Sequence, residues 1–99
     1  MNREKALKIL CEAAPELQSR YGVVGAQLFG SVARGDADDL SDIDVAVRFE
    51  GDPPVDVMTL CGVSGLLSSM FGKDVDVVVL PARSSALGAV LKREAAIAF

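Results

Sequence analysis

The sequence contains no histidine and only two cysteines. Without an imidazole, a general base that works near neutral pH has to be a carboxylate, usually assisted by a metal ion. The same absence excludes zinc sites that are built from imidazole ligands. Cys11 and Cys61 stand far apart, without C-x-x-C spacing, and both fall in predicted helices. We therefore expect ordinary reduced thiols in the core.

Long apolar runs and an excess of basic residues are also missing. No apolar run approaches the roughly 18 residues that a membrane span requires. The first residues read as a charged helix opening rather than a signal peptide, so we expect a cytoplasmic protein without membrane contact. Ten basic residues against fourteen acidic ones give a net charge of −4. This balance argues against direct nucleic-acid binding by phosphate neutralisation, and therefore against a polymerase.

The length of 99 residues predicts one small domain spanning residues 1–99. Folding a chain of this size buries only about 60 to 65% of the surface that the unfolded chain exposes. Apolar residues nevertheless make up 51% of the sequence. Either the core is rich in alanine and valine, or part of the apolar surface is covered by another copy or a different protein.

Helical and strand patterns alternate along the chain. Asn2 can cap the first helix, in which Pro15 either introduces a kink or starts a second helix, and Ser84 or Ser85 can cap the last. The predicted order αβαβαβα is an α/β fold in which helices cover a small three-stranded sheet. The predicted helices are 2–20, 31–34, 55–71 and 84–96, the strands are 23–29, 43–49 and 74–80, and loops occupy 35–41 and 50–54.

A Gly-Ser turn followed by two aspartates is the most informative pattern in the sequence. Gly30-Ser31 leaves an apolar run and opens a helix, where backbone N–H groups can face a phosphate. Asp42 and Asp44 share one face of a strand, with Cα atoms about 6.5 to 7 Å apart. Both carboxylates can then reach one magnesium ion or a neighbouring pair. The pattern predicts a nucleotide phosphate tail held beside one or two Mg²⁺ ions.

A third carboxylate lies on the last predicted strand. Asp76 alternates with valines as Asp44 alternates with its apolar neighbours, so pairing of the two strands brings Asp76 beside Asp42 and Asp44. Asp74 shares the strand face of Asp76 and is the alternative if the register differs. Mutual repulsion among three carboxylates raises at least one pKa unless cations compensate.

The chemistry that fits these residues is nucleotidyl transfer, in which an acceptor hydroxyl attacks the α-phosphorus of a nucleoside triphosphate and pyrophosphate leaves. We expect Asp42 and Asp44 to ligate both ions. Asp76 is expected to ligate the ion on the nucleophile side and to take the acceptor proton.

The triphosphate itself is expected to contact the Gly-Ser turn. Gly30 allows the backbone to approach the phosphates, and the Ser31 hydroxyl donates a hydrogen bond to them. Arg34 is a further phosphate contact, unless it is a surface arginine paired with Asp36 or Asp38.

Three segments, FGSVARG at 29–35, SDIDV at 41–45 and VDVV at 75–78, resemble the signature of minimal nucleotidyltransferases of the DNA polymerase β-like superfamily. The resemblance implies the small mixed sheet of that superfamily and a Mg²⁺-dependent transfer of a nucleoside monophosphate, usually AMP from ATP. Small stand-alone members are often antitoxins of the MntA type, which bind a HEPN-type toxin and add AMP to one of its tyrosines.

Two alternatives to this function stay open. The domain can neutralise a partner by binding alone, as a non-catalytic interaction module. It can also be the catalytic subunit of an enzyme that modifies a small molecule such as an aminoglycoside, although such enzymes usually carry a second helical domain that this sequence lacks.

Overall fold

The computed structural model of the chain describes residues 2–36, 42–51, 55–81 and 84–99. Much of the two predicted loops, including Asp38, lies outside these residues. The elements of the described part are helices α1 (Arg3–Tyr21), α2 (Gly30–Arg34), α3 (Val57–Phe71) and α4 (Ser85–Glu94), and strands β1 (Val23–Phe29), β2 (Ile43–Phe49), β3 (Val75–Val79) and β4 (Ala96–Ile97).

The strands form one mixed sheet in the order β3-β2-β1-β4. β1 is antiparallel to β2 and β4, whereas β2 and β3 are parallel. The mixed sheet covered by helices is confirmed, but the expected count of three strands is wrong. The last helix ends at Glu94 instead of continuing to residue 96, because Ala95 is extended, with φ −68° and ψ 138°. Ala96–Ile97 then pairs with Gln27 and Leu28, and two residues are too few to show alternation in a sequence.

Capping residues define where the first helix begins and ends. The Asn2 side chain accepts a hydrogen bond of 2.8 Å from the Lys5 backbone N–H, as expected of an N-cap. Gly22 ends the helix in the left-handed conformation, with φ +75°, which glycine adopts at little cost. Pro15 lies inside this single helix and does not start a second one.

The main core lies on one side of the sheet. Apolar residues three and four apart on α1 and α3 face the apolar side of β2, where every second residue is buried. Each fully buried leucine or valine contributes roughly 1.5 to 3 kcal/mol. The core residues from these three elements include Ala6, Leu10, Ala13, Leu17, Ile43, Val45, Val47, Val63, Leu67 and Phe71.

A second, smaller core lies on the opposite side of the sheet. Leu91 of α4 packs there with Phe29, Ala46 and Leu80. The alternation of β2 places Asp44 on the same side as Ala46. Helix α4 therefore covers the sheet face that carries the predicted site, and its last turn approaches that site.

One expectation about buried surface needs correction. Cys11 and Cys61 are free thiols, but both are exposed and neither lies in the core. At the start of helix α3, the side chains of Val57 and Met58 are 75% and 85% exposed. Both positions fit the helical spacing of apolar residues, but neither packs on the sheet. Periodicity alone does not show which apolar positions of a helix are buried. In the residues that the structure describes, no helix is long and apolar enough to cross a membrane.

Candidate active site

The Gly-Ser turn joins β1 directly to α2. Gly30 has φ +76°, a conformation that residues with a Cβ rarely adopt. A Cβ on Gly30 would overlap the carboxylate of Asp44 and would lie 3.0 Å from its Cγ. Glycine is therefore required here twice, by the backbone angle and by the close approach of the acidic side chain. Ser31, the next residue, is half-buried.

The parallel pairing of β2 and β3 brings the predicted carboxylates together. Ile43 pairs with Val75, and Asp44 pairs with Asp76. Neighbouring strands lie about 4.8 Å apart, so the two side chains leave adjacent strands on the same face. Asp42 lies just before β2 and is exposed. This register places Asp76, rather than Asp74, opposite Asp44.

Asp44 is the half-buried member of this acidic group. Loss of hydration raises the pKa of its carboxyl above the ordinary value of 3.8, and the nearby charges of Asp76, Asp42 and Glu94 raise it further. Arg34 acts in the opposite direction but does not outweigh them. The charge pattern is the one that a divalent cation relieves, and carboxylate oxygens are the ligands that Mg²⁺ prefers. Among the described residues, however, no three acidic side chains are already gathered as a metal-binding group.

Glu94, the last residue of α4, reaches into the same site. Its Oε1 accepts a hydrogen bond of 3.1 Å from the Gly30 backbone N–H. The Arg34 guanidinium donates to both carboxylate oxygens of Glu94, over 3.2 and 3.1 Å. The side chain of Glu94 is only 13% exposed. One carboxylate thus binds two of the donors that the sequence assigns to a phosphate.

Arg34 has a second acidic partner. Its Nε donates to Asp36 over 3.2 Å, so the surface pairing that was the alternative for this residue is present as well. The hydrogen bonds to Asp36 and Glu94 raise the pKa of the guanidinium further above its ordinary value. The arginine stays charged and, in this conformation, is held by carboxylates.

Residues 10–95 match the family described as a nucleotidyltransferase domain. The chain belongs to this family. A curated relative, the protein adenylyltransferase MntA of Thermococcus cleftensis, is 32% identical over 91 residues, which cover 92% of this chain and 90% of the relative.

Solved structures show the same fold. A structure assigned to a minimal nucleotidyltransferase superposes with a TM-score of 0.74 at 32% identity, covering 97% of this chain and 95% of that chain. A toxin–antitoxin crystal structure with AMP-PNP gives a TM-score of 0.70 at 26% identity, covering 100% of this chain and 73% of that chain. The chain is therefore a nucleotidyltransferase with the fold of the minimal members.

In this nucleotidyltransferase, three predicted site residues lie close together where β1 ends and where β2 and β3 begin. Gly30 contacts Asp44, and Asp44 pairs with Asp76. Sequence reasoning missed Glu94, which lies within the predicted helix 84–96 and was given no role there. No local pattern distinguishes it from other glutamates at helix ends. Its contact with Gly30 spans 64 positions, and only the packing of α4 on the sheet reveals it.

Proposed function

We propose that this nucleotidyltransferase transfers AMP from ATP to a hydroxyl group on a partner protein, a tyrosine of a HEPN-type toxin, and thereby acts as the antitoxin. The observation that carries the proposal is the pairing of Asp44 with Asp76 beside the Gly30 turn. The likeness to a protein adenylyltransferase and to a toxin–antitoxin structure with AMP-PNP supports it.

The acidic residues have the chemistry to hold Mg²⁺. Asp42 and Asp44 would ligate both ions, and Asp76 would ligate the one nearer the acceptor. When bound, the metal neutralises charge on the triphosphate and stabilises the leaving pyrophosphate. The raised pKa of Asp44 indicates that its ionised form lacks sufficient compensation from the protein alone.

The reaction exchanges one phosphorus–oxygen bond for another. The acceptor hydroxyl oxygen forms a bond to the α-phosphorus, while the bond from this phosphorus to the bridging oxygen of the β-phosphate breaks. Pyrophosphate leaves with that electron pair, and the acceptor proton passes to a carboxylate oxygen of Asp76. We assign the role of base to a carboxylate, because the chain contains no histidine.

The phosphates would be held by the turn between β1 and α2. Gly30 leaves room for the backbone to approach them, the Ser31 hydroxyl donates a hydrogen bond, and Arg34 supplies a positive charge. Glu94 already accepts from the Gly30 N–H and from Nη1 of Arg34, so a bound phosphate would compete with its carboxylate for these donors.

The test is transfer of label from [α-³²P]ATP to the purified partner in the presence of Mg²⁺. The double variant Asp42→Asn, Asp44→Asn should fold and bind the partner but transfer no label. A matched control is Glu12→Gln, Glu50→Gln, which removes two exposed acidic charges, one from the middle of α1 and one just after the end of β2 that lies away from Asp44. Equal labelling by the double variant and the wild type would refute the proposed chemistry.

A second candidate function is neutralisation of the partner by binding alone. It is favoured by the exposed Val57 and Met58 at the start of α3, which are large apolar side chains without a cover in the described residues. Met58→Asp should then abolish neutralisation, whereas the aspartate double variant should neutralise as well as the wild type. Loss of neutralisation in the aspartate double variant, with binding retained, assigns the effect to catalysis.

A further inference from the structure

A cavity of about 350 Å³ lies between the start of α1, helix α2 and the junction of α4 with β4. Its lining includes three arginines from three separate elements, Arg3, Arg34 and Arg93, together with the carboxylate of Glu94. Alanines at positions 33, 95 and 96 complete the wall and leave the space open. The volume is within the range of about 300 to 1,000 Å³ that is typical of small-molecule sites.

The charges around this cavity are not balanced by the protein. Arg34 is bound by Glu94 and Asp36. Within the described part of the chain, Arg3 and Arg93 form neither an ion pair nor a side-chain hydrogen bond. This excess of positive charge lies in a chain whose net charge is −4. A bound anion would relieve the repulsion among the guanidinium groups.

The position of Arg3 strengthens this argument. It is the first residue of α1, where the helix dipole is positive and a cation is unfavourable. Arg3 therefore does not stabilise its own helix through the dipole. The charge of Arg3 adds to the positive potential at the cavity, and Glu4 in the same first turn offsets part of it.

The chemistry of the lining favours a phosphate group as the occupant. The guanidinium group is planar and presents paired N–H donors that match two phosphate oxygens, and such bonds are stronger than those between neutral groups. A second feature is the connection to the site already described. Glu94 lines the cavity and also accepts from the Gly30 N–H, so the cavity adjoins the turn at which the donor phosphates are proposed to bind.

We propose that this cavity is a phosphate-binding site in which Arg3 and Arg93 hold a phosphate group of a nucleotide. The group comes either from the terminal phosphates of the donor or from a nucleotide already attached to the acceptor. Only this origin of the phosphate depends on the proposed function. The anion site itself depends on Arg3 and Arg93.

The first experiment measures binding of inorganic pyrophosphate by calorimetry in the presence of EDTA, so that no metal contributes. The double variant Arg3→Gln, Arg93→Gln should raise the dissociation constant about tenfold, because two charge-assisted contacts are lost. The matched control Lys8→Gln, Arg20→Gln removes two exposed positive charges from α1 outside the cavity and should bind like the wild type. All four positions are exposed, and thermal unfolding checks that each variant is folded.

Equal affinity of the double variant and the wild type, or no pyrophosphate binding by the wild type, would overturn the proposal. A second measurement identifies the source of the phosphate. If the double variant raises KM for ATP in the labelling assay, the donor supplies the group. If KM for ATP is unchanged while pyrophosphate binding is lost, the group belongs to the acceptor. If the wild type binds pyrophosphate but transfers no AMP, the proposed function is contradicted and the anion site is still supported.

Discussion

Glu94 accepts hydrogen bonds from the Gly30 backbone and the Arg34 guanidinium, so that the end of α4 is joined to the turn that begins α2. A carboxylate and a phosphate compete for the same donors, and one guanidinium nitrogen of Arg34, Nη1, donates to both Glu94 oxygens. The resting site is therefore held in place by an internal anion. Four predictions concern this site.

Glu94→Gln should lower KM for ATP about threefold to tenfold, because the neutral amide competes less strongly for Arg34 and repels the phosphates less. The turnover number should change little. Steady-state labelling kinetics at varied ATP concentrations check this, with Glu12→Gln on α1 as the same substitution outside the site. A higher KM in Glu94→Gln would show instead that the carboxylate positions Arg34 for the nucleotide.

Asp76→Asn should reduce the rate of AMP transfer about 10²- to 10⁴-fold, since it removes the proposed base and a metal ligand. Asp74→Asn should leave the rate close to that of the wild type, because the register pairs Asp76, and not Asp74, with Asp44. Single-turnover labelling compares the two variants directly. The reverse ranking would assign the role to Asp74.

Gly30→Ala should destabilise the protein more than Gly72→Ala. Both glycines have positive φ, but a Cβ would meet Asp44 at position 30 and has free space at position 72. The control is expected to lose about 1 to 2 kcal/mol from backbone strain. Gly30→Ala should lose at least about 1 kcal/mol more, because the side chain of Asp44 has to move. Urea denaturation measures the free energy of unfolding of both, and equal losses would contradict the close approach.

Asp44→Asn should stabilise the metal-free protein at neutral pH. Because the pKa of Asp44 is raised in the folded state, the folded protein binds more protons than the unfolded chain as the pH rises above 3.8. Ionisation of Asp44 therefore lowers stability across the interval between 3.8 and the raised pKa. The gain from the substitution should be largest above this interval and should disappear below it.

Urea denaturation in EDTA at a series of pH values measures that gain. Glu12→Gln, an exposed charge on α1, is the control for loss of an acidic group elsewhere. Addition of Mg²⁺ should stabilise the wild type more than Asp44→Asn at neutral pH, if the carboxylate ligates the metal. If Asp44→Asn increased the free energy of unfolding by the same amount at every pH, an electrostatic origin of the stabilisation would be contradicted.

Local patterns predicted much of the fold. The caps at Asn2 and Ser84 have the expected side-chain hydrogen bonds, and β1 and β2 have the expected bounds, because capping and alternation act over a few neighbouring residues. β4 was missed because it consists of two residues, whose pairing with β1 is a tertiary contact. The exposure of Cys61 was missed for a related reason, since periodicity does not say which helix face meets the sheet.

The sequence by itself determined the class of reaction, nucleotidyl transfer, because Gly30, Ser31 and the aspartate pair are close along the chain and their spacing leaves few alternatives. The alternation of Asp76 with valines in β3 also predicted a third carboxylate at the site. Only the tertiary structure decided that Asp76 pairs with Asp44, since strand register depends on how two distant segments pack. The same packing of α4 across the sheet brought Glu94 to Gly30 and Arg93 to the cavity beside it, which no local pattern encodes.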